Sequence, residues 1–426
     1  MSFHKPLFAA LLAAGAAFSP LALATNGYFA HGYGIKSLGM AGVGFALPQD
    51  ALAAASNPAG TALVGDRLDL GVTWFKPQRS VEISGNDLSR IGFAGSADGQ
   101  YHGNDTEAFL IPEFGYTRQL NERLAFGLAV YGNGGMNTDY GRNPFAAYGS
   151  RGDAGVDLTQ VFVTPSLAWR ASERHTFGIG LNYAWQRFEA RGLGAFDNPM
   201  FTESPGKVSD NGHDRSDGWG LRLGWNGQLT DSLSLGVAWS SKIKTGKFER
   251  YEGLFADHGS FDIPENYGIG LAWQATERLT LAADVQQIDY ADVKAIANSV
   301  DVLFQGNRLG SEDGPNFGWE DIRIYKLAAS YALSPQLTVR GGFSWADQAL
   351  DRGETFFNTL APGVVRKHLT FGATWAPEAN HEISLFYAHA FREELKGRNS
   401  MDNFGGGEVD LKMQQDSFGI AYAWKL

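Results

Sequence analysis

The last ten residues, "SFGIAYAWKL" (Ser417 to Leu426), decide the fold class. Large apolar residues alternate here with small or polar ones. Successive side chains of a β-strand point to opposite faces, so this segment places bulky groups on one surface and leaves space on the other. The alternation predicts a strand, and its recurrence along the chain predicts an all-β protein. It recurs at 233–239, 267–273, 337–345 and 369–375.

The partners of the bulky residues indicate where the two faces lie. They are repeatedly Gly, Ala, Ser, Thr and Asn, with isolated charges such as Arg222, Asp284, Lys326 and Arg340. A soluble β-sandwich would instead show mostly charged and Thr-rich partners facing water. Small and polar partners fit the lumen of a barrel whose bulky residues face lipid.

Turn spacing gives an independent strand count. Short turns of similar composition alternate with long Gly/Asp/Asn/Pro-rich loops, and together they connect fourteen strands. An even count with one short-turn end and one long-loop end is typical of an outer-membrane barrel. Trp169, Trp273, Trp375 and Trp424 lie just before a short turn or the chain end, where we expect an aromatic girdle. The loops are predicted at 77–108, 132–159, 191–215, 245–260, 291–318, 347–365 and 393–411.

Composition excludes several function classes. The 426 residues contain 54 Gly, 13% aromatic residues and no Cys. Without Cys there is no disulfide, no thiolate metal site and no thiol nucleophile. The formal net charge of −11 disfavours nucleic-acid binding, which needs clustered Lys and Arg. We expect no cofactor and no metal, since no paired His spacing or H-E-x-x-H occurs.

The amino-terminal region divides into two predicted parts. Residues 1–24 read as a signal peptide, with Lys5, an apolar run from Leu7 to Ala17 and a small-residue cleavage pattern. Residues 25–66 are too few to fold alone and too apolar to remain in solvent, so we expect a hatch that plugs the lumen. The alternative is a flexible periplasmic tail. The barrel itself is predicted at 67–426.

The hatch carries a local signal of its own. Within "AAASNPAGTAL" (residues 53–63), Asn57 can cap a following helical turn whose first position is Pro58, followed by Ala59. Asn favours the cap, and a Pro at the first position loses no hydrogen bond there. We therefore expect a compact turn at this motif.

Three stretches resemble the FadL family of outer-membrane transporters of long-chain fatty acids and other hydrophobic compounds, a group that includes toluene- and xylene-uptake channels. They are "GYGIKSLGMAGVGFALPQDALAAASNPAG" with Asn57-Pro58-Ala59, "YGNGGMNTDY" (131–140) and "GSFDIPENYGIGLAW" (259–273). The resemblance covers essentially the mature chain. It implies a fourteen-stranded antiparallel transmembrane β-barrel, an amino-terminal hatch, and an inward kink in the third strand that opens a side passage.

The predicted kink falls on a glycine-rich run. Gly132, Gly134 and Gly135 around Asn133 follow the third strand, and glycine tolerates the positive φ angles that a regular ladder refuses, which would explain a kink here. Unpaired backbone beside such a break is tolerated where it lines a cavity. The alternative is a Gly-rich external loop without an opening.

These features predict passive, ligand-gated uptake of hydrophobic compounds, with long-chain fatty acids as the leading substrate. External loops would capture the solute, and movement of the hatch end (Asn26, Gly27, Tyr28, Phe29) would open the passage. A fatty-acid carboxylate would be met by a loop cation. The predicted capture groove comprises Phe196, Met200, Phe201, Leu254 and Phe255, and the candidate carboxylate partners are Arg142, Arg151, Lys207 and Arg215.

Other readings stay open at this point. A neutral aromatic or alkane hydrocarbon is an alternative substrate, and a general diffusion porin is an alternative function. An enzyme is disfavoured because no G-x-S-x-G occurs and the nine His residues are scattered. We expect a monomer in the bacterial outer membrane, in contact with the lipid bilayer and lipopolysaccharide.

Overall fold

A single closed sheet forms the wall of the molecule. The computed structural model describes residues 26–426, so the predicted signal peptide lies outside the described residues. Every neighbouring pair of strands is antiparallel, and the last strand pairs with the first from Arg67↔Lys425 to Ser84↔Glu408. The strands are β1 Arg67–Ser84, β2 Gly99–His102, β3 Phe109–Gln119, β4 Leu124–Tyr140, β5 Ala154–Arg170, β6 His175–Arg191, β7 Asp214–Gln228, β8 Leu233–Ser240, β9 Asn266–Gln274, β10 Leu279–Ile288, β11 Ile322–Ser334, β12 Leu337–Ala346, β13 Lys367–Glu378, β14 His381–Leu395 and β15 Glu408–Lys425.

Fourteen of these strands form the barrel, which confirms the predicted fold class. The additional strand, β2, was not predicted. It pairs with residues 80–83 of β1, beyond Phe75, where the pairing of β1 with β3 stops. Two predicted loops are shorter than expected, because β1 continues to Ser84 and β4 continues to Tyr140. The extra length is stabilised by continued pairing with β15 and β5.

The two faces of the wall follow the predicted alternation. In β15, Phe418 and Trp424 are 47% and 49% exposed, whereas Ala421 and Ala423 are buried. The same four Trp residues expected near the short-turn end are all about half exposed on the outer surface. On the inner face Arg222, Asp284 and Lys326 are buried, as expected for lumen charges. The outer surface is thus apolar and suited to lipid.

Helical structure is confined to short turns. Among the described residues no helix is long and apolar enough to cross a membrane. The α-helical turns are Ile35–Leu38, Ala53–Ser56, Ala256–Gly259 and Lys294–Ala297; the 3₁₀ turns are Pro58–Ala62, Leu88–Ile91, Ala146–Tyr148, Gly194–Phe196, Glu249–Tyr251, Tyr290–Asp292, Val300–Gln305, Phe357–Thr359 and Asp402–Phe404.

Residues 26–66, the N-terminal segment, pack against the inner face of the wall. Most of their side chains are buried, including Tyr28, Met40 and Val43 with no exposed surface. Where the backbone of the segment meets the wall, the wall carries glycine. A Cβ on Gly236 would lie 1.9 Å from the Phe45 carbonyl oxygen, so only Gly permits this approach.

Candidate functional site

The predicted Asn-Pro-Ala turn forms as expected. A 3₁₀ helix spans Pro58–Ala62, with Pro58 at its first position and the Asn57 side chain accepting from Ala59 N at 3.1 Å. The cap is therefore confirmed. The amide of Asn57 also donates to the carbonyl of Phe45 at 2.7 Å and to the carbonyl of Trp225 on β7 at 3.0 Å. One side chain thus joins two parts of the segment to the wall.

Carboxylates on the inner face hold the middle of the N-terminal segment. Asp284 on β10 accepts from the backbone N–H groups of Gly44 and Phe45 at 2.8 and 3.2 Å. Glu382 on β14 contacts the Lys36 ammonium at 2.5 Å. Hydrogen bonds to charged groups are about twice as strong as neutral ones, so this part of the segment is firmly anchored. The contact of Glu382 with this segment was not predicted.

The first described residues lie in an aromatic cage. The Tyr28 ring centroid is 5.4 Å from that of Tyr290 and 6.1 Å from that of Trp319. The hydroxyl of Tyr290 donates to the Asn26 carbonyl at 2.6 Å. Gly27 adopts a φ of 65° and packs so closely on Tyr290 that no side chain would fit. The cage forms mainly from the 289–321 loop, which the sequence did not associate with residues 26–29.

The N-terminal segment is paired to the strand that carries the predicted kink. Ala30 N donates to the Asn133 carbonyl at 2.8 Å, and Gly135 N donates to the Tyr28 carbonyl at 2.9 Å. These bonds make Phe29 and Gly134 an antiparallel pair. The structure therefore brings together the two predicted sets, residues 26–29 and residues 132–135.

The reason for glycine in the run differs from the one expected. Residues 132–135 lie inside β4, and none of the three glycines in this run has a positive φ angle, so the predicted explanation is wrong. A Cβ on Gly134 would lie 2.1 Å from the Tyr28 carbonyl oxygen. Glycine is required because another backbone approaches it closely, not because of its own dihedral angle.

A window interrupts the wall beside this run. The pairing between β3 and β4 ends at Phe114↔Val130, although β3 continues to Phe109 beside β1 and β4 continues to Tyr140 beside β5. Above the gap, Asp139 N donates to the Gly103 carbonyl at 3.2 Å and Asp105 N donates to the Asp139 carbonyl at 3.1 Å. The β4–β5 register shifts between Gly132 and Gly134. Residues 28–30 occupy the edge of β4 that β3 leaves.

An apolar pocket lies among the long loops. Three of the five predicted groove residues line it: Phe196, Leu254 and Phe255. Phe201 packs on the Phe196 ring at 5.5 Å, while Met200 is 75% exposed and lies outside. Most of the residues that line the pocket were not predicted, because they come from separate loops. They include Phe145, Phe188, Leu309, Phe317, Phe357 and Leu360.

The four predicted carboxylate partners are not brought together. All four are exposed and none lines the loop pocket. Arg142 stacks over the Tyr101 ring at 4.7 Å, and Lys207 pairs with Glu252 at 2.6 Å. Arg151 lies exposed in a loop, and Arg215 lies exposed at the start of β7. The loop pocket is therefore lined without a cation.

The family model described as "Outer membrane protein transport protein (OMPP1/FadL/TodX)" matches residues 15–425. The chain belongs to this family. The resemblance found in the sequence is thereby confirmed, and so is the predicted location in the outer membrane.

Two relatives lie at low identity. Outer membrane protein P1 of Haemophilus influenzae is 24% identical over 351 residues, which cover 73% of this chain and 71% of that protein. Putative outer membrane protein NMB0088 of Neisseria meningitidis serogroup B is 22% identical over 464 residues, covering 97% of this chain and 98% of that protein.

Solved structures share the fold. The toluene transporter TodX of Pseudomonas putida superposes with a TM-score of 0.69 at 20% identity, covering 93% of this chain and 99% of TodX. A FadL homologue of Pseudomonas aeruginosa gives a TM-score of 0.70 at 17% identity, covering 94% and 99%. At these identities the comparison establishes architecture only.

Proposed function

We propose that this family member is a channel for passive, ligand-gated uptake of hydrophobic compounds across the outer membrane. The N-terminal segment is the hatch, its first residues are the gate, and the window between β3 and β4 is the lateral exit. One observation carries the proposal: residues 28–30 pair with β4 inside the window. Moving these few residues would expose a gap in the wall without disturbing any pairing between the strands of the barrel.

The loop pocket would capture the solute. Apolar burial is worth about 25 cal/mol per Å², so a pocket lined almost entirely by apolar side chains can hold an apolar solute reversibly. Phe196 and Phe255 line the pocket. The ring centroid of Phe261 lies 4.9 Å from that of Phe255 and 5.9 Å from that of Tyr28. A continuous aromatic path thus leads from capture to gate.

The attachments of the hatch differ along its length. Charged groups hold its middle, through Asp284 and Glu382. Its first residues are held by two backbone bonds to β4, by Tyr290 and by aromatic packing. Charge-free contacts are easier for an apolar ligand to replace, because no ion is left buried and unpaired. We therefore assign the movement to residues 26–30 and not to the whole hatch.

Long-chain fatty acids are the leading substrate of this proposal. A neutral hydrocarbon is a second candidate, because the loop pocket contains no cation to meet a carboxylate. Similarity to toluene transporters supports the same candidate. In either case the role is transport without chemistry, by a monomer in contact with the bilayer and lipopolysaccharide. A general porin would keep its conductance after deletion of residues 26–60, whereas a hatched channel would become leaky.

A reversible lock tests the gate. The chain has no native Cys, so Ala30→Cys with Asn133→Cys places the only two thiols on paired backbones. Paired Cα atoms in an antiparallel ladder lie about 5.5 Å apart, within the range that a disulfide spans. In proteoliposomes, oxidation should stop uptake of labelled oleate and toluene, and reduction should restore it.

A second lock serves as the matched control. Thr61 and Ser166 on β5 have side-chain oxygens 3.0 Å apart, so Thr61→Cys with Ser166→Cys ties the far end of the hatch to the wall. Uptake should be the same before and after oxidation of this variant. Uptake that persists through the first lock, once the crosslink is verified by mass spectrometry, contradicts the proposed gate.

A further inference from the structure

A polar pocket opens on the outer face of the barrel, towards the end that carries the long loops. It is lined by Gln78 and Ser80 of β1, His102 of β2, Arg392 of β14 and Gln414 of β15, among others. Its volume is about 220 Å³, whereas one water molecule needs about 10–15 Å³, so a phosphate group fits. Since Gln78 lies opposite Gln414, the pocket spans the seam where the first strand pairs with the last.

The height of the pocket follows from the outward residues of the two seam strands. Their last bulky apolar pair before the loops is Trp74 and Phe418, which are 40% and 47% exposed. Gln78 and Gln414 have the same parity and therefore share this outer face, four residues nearer the loops. Four residues span roughly 13 Å of strand, or about 10 Å of height at a tilt of about 40°. The pocket therefore lies above the apolar band, at the level of the lipid head groups.

Positive charge gathers in the pocket. Its lining includes three cations and a histidine, namely Arg79, Arg392, Lys412 and His102. Of the described residues that line it, none is Asp or Glu. Cationic pockets at the level of lipid head groups are suited to anionic lipids.

Two of these cations are held in place by the protein. The Lys412 ammonium lies 2.9 Å from Glu82 Oε2 and 3.6 Å from Glu394 Oε1, and neither carboxylate lines the pocket. Arg79 has the opposite parity and is buried in the wall behind the pocket, where its guanidinium donates to two backbone carbonyls at 2.8 and 2.6 Å. Its Nε is buried without a hydrogen bond. Because a carbonyl does not neutralise a cation, Arg79 adds positive potential from behind.

The third cation, Arg392, is presented by a break in the strand ladder. The β14–β15 register shifts between Ala390 and Glu393, so that Phe391 and Arg392 both oppose Gln414. A bulge of this kind re-aims a side chain, and both residues are exposed. The Arg392 side chain forms no hydrogen bond or ion pair with any residue that the structure describes. Its guanidinium is therefore available to a ligand.

We propose that this pocket binds a phosphate group of lipopolysaccharide in the outer leaflet. An arginine binds phosphate through two parallel charge-assisted hydrogen bonds, and Arg392 would supply them. Lys412 would add a second charge, while Gln78 and Ser80 carry groups that can donate to the remaining oxygens. Phe391, which is 39% exposed, would contact the apolar part of the same lipid. Inorganic phosphate offers the same chemistry, but only a lipid phosphate is held at this height by the membrane. The site is independent of the compound that the channel carries.

The test measures binding of lipopolysaccharide to the full chain, purified in detergent, by native mass spectrometry. Arg392→Gln should raise the Kd at least tenfold, equivalent to about 1.4 kcal/mol. Arg392→Lys should recover part of the affinity, because it keeps the charge but lacks the planar fork. The matched control is Arg323→Gln, which removes an exposed cation near the loop end of β11, outside the pocket. It should leave the Kd unchanged.

Three ligands distinguish the source of the phosphate. The wild-type chain should bind lipopolysaccharide at least tenfold more tightly than the same lipid after enzymatic dephosphorylation. Inorganic phosphate in large molar excess should not displace the lipid. Equal affinity for the dephosphorylated lipid, or displacement by inorganic phosphate, overturns the assignment to a lipid phosphate. Equal loss of affinity in Arg392→Gln and Arg323→Gln reduces the effect to overall charge and overturns the site.

Hydrogen exchange locates the bound lipid. Because the pocket draws on β14, β15 and β1, an occupied site would tie the last strands to the first. Lipopolysaccharide should slow exchange at 76–82 and 410–416 in the wild-type chain and not in Arg392→Gln. Protection of other strands without protection of these two would contradict the site. Unheated gel mobility verifies that each variant is folded.

Discussion

Replacing Gly134 by Ala should release the gate. A Cβ at this position would lie 2.1 Å from the Tyr28 carbonyl oxygen, so residues 28–30 cannot remain paired with β4. Two backbone hydrogen bonds are lost, Ala30 N to Asn133 O and Gly135 N to Tyr28 O. At about 0.5–1.5 kcal/mol net for each bond, the docked state is weakened by about 1–3 kcal/mol. The population of released gate should rise about 5- to 150-fold, at 1.4 kcal/mol per factor of ten.

Thiol labelling measures that population directly. Ala30 is 9% exposed, and the chain contains no Cys, so an Ala30→Cys background has one buried, addressable thiol. The rate of maleimide modification then reports how often residue 30 leaves β4. Adding Gly134→Ala should raise this rate by the same 5- to 150-fold.

A second glycine provides the control. A Cβ on Gly341 in β12 would meet nothing closer than the Thr370 carbonyl oxygen at 3.6 Å. Gly341→Ala is thus the same substitution in the same barrel without contact with the hatch. An unchanged labelling rate in Gly134→Ala, or an equal rise in Gly341→Ala, would refute the assignment of Gly134 as the contact that the gate requires.

Three further perturbations address the rest of the hatch. Asn57→Ala removes a cap and two bonds, and should cost about 2–4 kcal/mol of hatch docking, seen as faster hydrogen exchange at 53–62 with unchanged strands. Glu382→Gln leaves the Lys36 ammonium buried without its carboxylate partner and should weaken hatch docking by about 3–5 kcal/mol, measured as proteolysis of the hatch at lower denaturant. Lys36→Met should weaken docking less, because Arg67 and Lys425 still pair with Glu382. The docked state lowers the pKa of His31, so docking should weaken by up to about 1.4 kcal/mol per pH unit as the pH falls below about 6.5. The rate of thiol labelling at residue 30 should therefore rise below that pH. It should not rise when His31 is replaced by Gln.

The strands could be predicted because their signal is local. Each residue of β15 faces lipid or lumen according to its parity, so Phe418 and Trp424 reveal the outer face without knowledge of any partner. The Asn57 cap was predictable for the same reason, since the atoms it joins lie two residues apart. Such features need no information from the rest of the chain.

The site was only partly predictable because its determinants are contacts between distant segments. The sequence indicated that residues 132–135 are special but gave the wrong cause, since the constraint on Gly134 comes from Tyr28. The pairing of His31 with His368 leaves no local trace at all. In the loop pocket, Phe145 and Phe357 meet only because separate loops converge. Composition can indicate that a loop is apolar, but not which other loop it contacts.

The glycines that line the inner wall also determine an order of events during biogenesis. Residues 26–66 fit against Gly134 and Gly236 only when β4 and β8 already stand in place, so they have no surface to fold upon beforehand. Residues 26–66 therefore depend for their shape on strands that lie later in the chain, and they can adopt it only after those strands have paired.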